Sequence, residues 1–333
     1  MEYMKYFIIT ISIAFVFACN CLAQNRGAET LEIRDVEFDS LNPQQIEDVI
    51  SKNWKIRKVK AKLFVPKAPI HVPAPAVVVL HGSGGIVDGR EYMHAGQFNA
   101  QGYFALVIDT YGSRGADKMP YNQRIVEVSA FTQTADAIGA LDFLSKQDAI
   151  DPNRIGSIGF SIGGMSSSML NLESMVSKYT DGPLRFAASV ALYAPCFSTF
   201  RTVKASQAPL LVIVGDKDEA LDVAECKRAY DAFGKVDSIS QFRVIPGAAH
   251  GWDSNAPLQF LRITNLKDCT TIIEDDGQTY FVKTNKLMPG NREKFKEFFK
   301  CASNGYTVGK NTDANTQALR YINEFFVQAF ASR

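Results

Sequence analysis

The chain has 333 residues, 46% of them hydrophobic, and its 36 Lys and Arg against 35 Asp and Glu leave a formal net charge of +1. A chain of this size buries a large core within one α/β domain and need not divide. Its near-neutral charge, without a long basic run or interleaved aromatic stripe, excludes an electrostatic nucleic-acid surface.

Residues 1–23 read as a secretory signal peptide. Lys5 supplies a weakly positive start, Phe7–Ala18 a short apolar core, and Cys21-Leu22-Ala23 small residues at the cut. The apolar core is too short to span a bilayer. The expected mature protein is therefore a single domain over 24–333, exported to a periplasm or secreted. Val16-Phe17-Ala18-Cys19 offers a second route, a lipid anchor through Cys19, although Phe17 fits that pattern poorly.

Two edge strands follow, Val36–Phe38 and Lys55–Val65. In the second, Lys58, Lys60 and Lys62 alternate with Val59, Ala61 and Leu63, as on a strand with one wet face. Pro66, Pro69, Pro73 and Pro75 make a stiff connector. Ala76–Leu80, Tyr103–Ile108, Ile155–Gly159, Phe186–Leu192 and Pro209–Val214 are continuous apolar runs of the kind covered on both faces in a parallel sheet. Gln241–Ile245 is a further strand. Helical spacing is predicted over Gln123–Leu144, Ile162–Lys178, Asp222–Phe233 and Thr316–Phe330. The alternation gives an α/β fold with a mostly parallel, doubly wound sheet and helices on both faces. Residues 254–315 are too long for an ordinary loop. Within them Asp275-Asp276-Gly277 separates Thr270–Ile273 from Thr279–Val282, a predicted hairpin.

Four of the six cysteines lie beyond the signal: Cys196, Cys226, Cys269 and Cys301. An even number in an exported protein points to two disulfides, for which three pairings exist. Cys196 and Cys226 follow successive strands and reach one sheet end. Cys269 and Cys301 bracket the late insertion, and a bond between them would tie it into a cap beside the site; a peripheral decoration is the alternative.

Gly159-Phe160-Ser161-Ile162-Gly163-Gly164 carries most of the chemistry. Glycines two residues either side of Ser161 let the chain reverse between a strand and a helix, lifting the hydroxyl clear of the sheet. The N–H of Ile162 and the helix N-terminus then face a developing oxyanion. A serine hydroxyl needs a histidine to take its proton and a carboxylate to hold that histidine's tautomer. Of four histidines, His250 sits in a small-residue loop directly after a strand and suits the base. His81 opens His81-Gly82-Ser83-Gly84-Gly85, a loop whose Ser83 or Gly84 N–H would complete the oxyanion hole; His71 and His94 read as surface or packing residues. Asp218 in Gly215-Asp216-Lys217-Asp218 is the predicted acid, with Asp216 the alternate and Asp222 more remote. The order Ser, Asp, His is that of α/β-hydrolases.

These motifs, with Asp109-Thr110-Tyr111-Gly112-Ser113-Arg114-Gly115 and Tyr193-Ala194-Pro195-Cys196, resemble the dienelactone hydrolase branch of the α/β-hydrolase superfamily from about Val59 to Trp252 and again in the last helix. The resemblance implies a nucleophile at Ser161, an acid at Asp218, a base at His250 and an oxyanion hole at Ile162 and near Ser83. Dienelactone hydrolases proper use cysteine as nucleophile; Ser161 instead favours a more general ester. Arg114 has two readings, a bidentate clamp on a substrate carboxylate or a salt bridge fixing its own loop, with Asp109 the nearest partner. Tyr111 and Trp252 either line the acyl pocket or pack in the core. The expected activity is hydrolysis of a small-molecule carboxylic ester without cofactor or metal. A serine peptidase or acyl transferase of the same fold, or a non-catalytic binding protein, are the rival readings.

Overall fold

Lys58 and Lys60 face solvent and Lys62 is half-buried, while Val59, Ala61 and Leu63 are buried. The strand β2 (Ile56–Val65) thus has the two-residue period of a sheet wet on one face. It pairs antiparallel with β1 (Glu32–Leu41) on one side and β4 (Phe104–Asp109) on the other. The computed structural model describes residues 31–333 apart from 88, 207, 234–238 and 289–299. The predicted signal peptide, with Cys19 and Cys21, lies outside the described residues.

Next to β4 come β3 (Ala74–Leu80), β5 (Ile150–Phe160), β6 (Ala188–Leu192), β8 (Leu210–Gly215) and β9 (Gln241–Ile245), all parallel, so the eight-stranded sheet runs β1-β2-β4-β3-β5-β6-β8-β9. Every residue of β3, β6 and β8 is buried. Such strands require cover on both faces. On one face Val78 and Leu106 pack with Ala137, Ala140 and Leu141 of α4 (Ala130–Ser145). On the other, Val77, Val79 and Val107 join Phe98 of α2 (Glu91–Ala100) and Ile322, Phe325 and Phe326 of α8 (Thr312–Ala331). The predicted doubly wound architecture is the observed one.

Two predicted helices are each broken in two. The expected helix over 123–144 is α3 (Tyr121–Glu127) followed by α4, because Val128 is extended and the Ser129 N–H donates to Thr132 Oγ1 (3.3 Å), starting a new helix. The expected helix over 162–178 is α5 (Ile162–Met169) and α6 (Glu173–Tyr179). Between them Asn171 Nδ2 donates to Ala208 O (2.8 Å) and the Glu173 N–H to Lys204 O (2.8 Å), so tertiary partners replace the helical ladder. The short helix α1 (Ile46–Ile50) and α7 (Val223–Phe233) complete the described helices used below.

Residues 254–315 form real structure. The predicted hairpin is β11 (Thr271–Ile273) and β12 (Thr279–Phe281), with β13 (Lys286–Leu287) beside β12. Unforeseen in the sequence, β11 also pairs parallel with β7 (Ser198–Phe200). A second, two-stranded sheet joins β10 (Gln259–Asn265) to β14 (Ser303–Val308). Cys196 bonds to Cys226 and Cys269 to Cys301, one of the three possible pairings.

Candidate active site

At the β5–α5 junction Ser161 has φ 53° and ψ −117°, a left-handed backbone that costs a non-glycine residue roughly 1–3 kcal/mol. Close packing holds it there. A Cβ on Gly159 would overlap the Gly163 carbonyl, and one on Gly163 would overlap the carbonyl oxygens of Leu80 and His81. The Ser161 N–H is anchored on Leu192 O at the end of β6 (3.0 Å). The N–H of Ile162 stands at the first position of α5, where no preceding turn supplies a helical acceptor.

His250 reaches Ser161 from the loop after β9. Its Nε2 is 3.0 Å from Ser161 Oγ, and its Nδ1 is 2.7 Å from Asp218 Oδ2. Asp218, after β8, uses its other oxygen to accept the Ala220 N–H (2.9 Å). All three residues are buried. With the Nδ1–H donated to the carboxylate, Nε2 is left as the acceptor that faces the serine hydroxyl. The alternate acids have other employment: Asp216 accepts the Gly247 N–H (2.6 Å), bracing the His250 loop, and Asp222 accepts the Ala224 and Glu225 N–H groups at the start of α7. Tyr193 and Tyr306 bracket the His250 ring edge-on, at 4.8 and 5.1 Å between centroids.

His81 shapes the neighbouring loop. Its Nδ1–H donates to Gly82 O (2.8 Å), and Gln133 Nε2 donates to His81 O (3.0 Å). Burial, partly offset by the bond to Gly82, holds the His81 pKa below its ordinary value and keeps the ring neutral. The Gly85 N–H closes the turn on Gly82 O (3.0 Å), leaving Ser83 and Gly84 at its tip. From the other side Arg90, ion-paired with Glu91, donates to Gly85 O (3.2 Å). His94 is a buried packing residue, its Nε2 on Asp253 Oδ2 (2.9 Å), whereas His71 is exposed beside Arg154.

Ser161, Ile162 and His250 open onto a cavity of about 220 Å³, with Ser83 on its wall. Phe131, Met165 and Met169 line one side, and Thr264, Asn265 and Tyr306 from β10 and β14 line another. The late insertion therefore walls the cavity. Among the described lining residues none is Asp, Glu, Lys or Arg.

For three residues with two readings, Arg114, Tyr111 and Trp252, the structural alternative is the one observed. Arg114 makes a bidentate pair with Asp136 (2.8 Å for each bond) and donates to Asn42 Oδ1 (2.7 Å); its partner is Asp136, and Asp109 instead accepts the Gly112 N–H. Buried carboxylate on α4 captures the guanidinium before it can reach the cavity. Tyr111 is buried against His81, and Trp252 is fully buried against Tyr193; neither lines the cavity. Conversely, Met165, Tyr121 and Tyr306 line the cavity without having stood out in the sequence. Met165 was accessible to inspection, since it lies four residues beyond Ser161 on a predicted helix. Tyr306 arrives only through pairing of the insertion's strands.

A family model described as the dienelactone hydrolase family matches residues 59–260. Among named relatives, YtaP of Bacillus subtilis (strain 168), named as a hydrolase, is 29% identical over 157 residues, covering 42% of this chain and 50% of that protein. The quorum-quenching protein AidA of Acinetobacter baumannii (strain MDR-ZJ06) is 28% identical over 165 residues, covering 47% of each. The chain thus spans about half the length of the curated relatives it matches. Among solved structures, the alpha/beta hydrolase GrgF from Penicillium sp. sh18 superimposes with a TM-score of 0.48 at 13% identity, covering 66% of this chain and 91% of that one.

Proposed function

Because the chain belongs to the dienelactone hydrolase family, and so to a family of hydrolases, we propose that it cleaves carboxylic esters through a Ser161–His250–Asp218 triad. The observation that carries this reading is the unbroken hydrogen-bond series from Ser161 Oγ through both ring nitrogens of His250 to Asp218, opening onto an uncharged cavity.

In the proposed reaction His250 Nε2 takes the Ser161 proton as Oγ attacks the ester carbonyl. Asp218 holds the tautomer and stabilises the imidazolium. The N–H groups of Ile162 and Ser83 receive the oxyanion, with Gly84 at the same turn. His250 then gives its proton to the departing alcohol, and water, activated by the same ring, hydrolyses the acyl-enzyme. None of these steps needs a cofactor. The uncharged wall favours a small-molecule ester that is neutral and apolar on its acyl side, since an anion would lose hydration there without gaining a cation.

The test is hydrolysis of short-chain chromogenic esters by the wild type and by Ser161→Ala. Turnover should fall by about 10⁴-fold or more in the variant, and a hemisuccinate ester should react at least tenfold more slowly than the butyrate of equal length. Unchanged turnover in Ser161→Ala would refute the assignment.

A further inference from the structure

Ser161, Met165, Ser168 and Met169 stand at intervals of four, three and one, so they form a single stripe along α5 that begins at the proposed nucleophile. The Met165 N–H closes the first helical turn on Ser161 O (3.0 Å). Side chains on a helix lean towards its N-terminus, which tips Met165 towards Ser161. It is half-buried, whereas Met169 is buried.

Beyond the methionines lies a second, smaller void of about 50 Å³. It shares Met165, Met169, Pro195 and Ser198 with the larger cavity and is also lined by the Cys196–Cys226 disulfide and Ala229 of α7. Four shared side chains are thus the partition between the two spaces. Thioether side chains with three rotatable bonds make an adjustable wall, unlike branched aliphatics. We infer that the two voids form one acyl-chain channel along the α5 stripe, with Met165 as its movable partition, and that the substrates are esters of medium-chain fatty acids. The inference rests on the proposed esterase reading and specifies its acyl group.

Length follows from helix geometry. Met169 lies eight residues from Ser161, about 12 Å along the axis at 1.5 Å per residue. An extended chain advances roughly 1.2 Å per bond, so about ten bonds span that distance. Each methylene buried on an apolar wall contributes roughly fourfold in kcat/KM. Selectivity should therefore climb from acetate to acyl groups of about eight to ten carbons and stop where the disulfide ends the channel.

The experiment is kcat/KM for 4-nitrophenyl esters from acetate to laurate, read as each ester's ratio to acetate, in the wild type, Met165→Trp, Met165→Ala and Met165→Ala with Ala229→Phe. The octanoate ratio should fall at least tenfold in Met165→Trp. The octanoate ratio should rise more than twofold in Met165→Ala, where the partition is removed, and fall back when Ala229→Phe fills the second void from α7. Ratios within twofold of wild type in all three variants would overturn the channel while leaving the esterase reading intact, provided Ser161→Ala removes acetate turnover. Absence of hydrolysis on every ester, with no phosphonate adduct on Ser161, would remove both.

Discussion

Asp216 and Asp218 are two residues apart in the sequence, yet their duties diverge because the chain turns between them: one braces the Gly247 turn, the other meets His250. Their chemical identity alone does not separate them; position after β8 does. Arg114 gives the converse lesson. Its loop follows β4 near the site, but Asp136, wholly buried on α4, accepts from both terminal guanidinium nitrogens, and Ser40 Oγ donates to the same carboxylate (2.6 Å). Removing the arginine leaves that carboxylate buried and unpaired. Arg114→Ala should lower unfolding free energy by about 3–5 kcal/mol, measured by urea denaturation, and Arg114→Ala with Asp136→Leu should recover part of it. A loss below about 1 kcal/mol would show that the pair is not structural.

At the level of elements, the central strands were legible because each is a short, continuous apolar run, and the elbow because its glycines sit where a Cβ would collide with backbone. Helix ends were less so: the break at Ser129 turns on a single local bond to Thr132, and the break at Asn171 depends on Ala208, far along the chain. The β7–β11 pairing joins residues 73 apart, such as Ser198 and Thr271, and no local pattern announces it. That pairing explains why the insertion walls the cavity. The insertion also grips the loops that carry Asp218 and His250: Asn265 Nδ2 donates to Glu219 O (2.8 Å), Glu219 accepts the Thr307 N–H (2.8 Å), and the Gly309 N–H reaches His250 O (3.1 Å). Hydrogen bonds from Thr307 hold the Glu219 carboxyl below its ordinary range. Cys269–Cys301 closes a segment of 32 residues within this structure, a constraint worth about 3–4 kcal/mol on loop-entropy grounds. Replacing both cysteines by alanine should lower stability by up to that amount and raise KM for butyrate. Unchanged stability and KM would mean that the bond does not support the cavity wall.

Across the whole molecule, Ser161 comes from the end of β5, Asp218 from the end of β8 and His250 from just beyond β9, so a parallel sheet gathers residues from three distant stretches at its carboxyl edge. The sequence conveyed this through the order of strands and the residue types that follow them. It did not convey the cavity's neutrality, which depends on which side chains face inward and on Asp136 holding Arg114 away. Two disulfides fit the proposed export to an oxidising compartment, and among the described residues no helix is long and apolar enough to cross a membrane. The central claim is that Ser161 is a nucleophile activated by His250. Treatment with a fluorophosphonate followed by intact-mass and peptide mass spectrometry tests it most directly. The account predicts one stoichiometric adduct, located on the peptide that contains Ser161, and none in Ser161→Ala or, at the same exposure, in His250→Ala. No adduct on the folded wild type, or one on another residue, would contradict it.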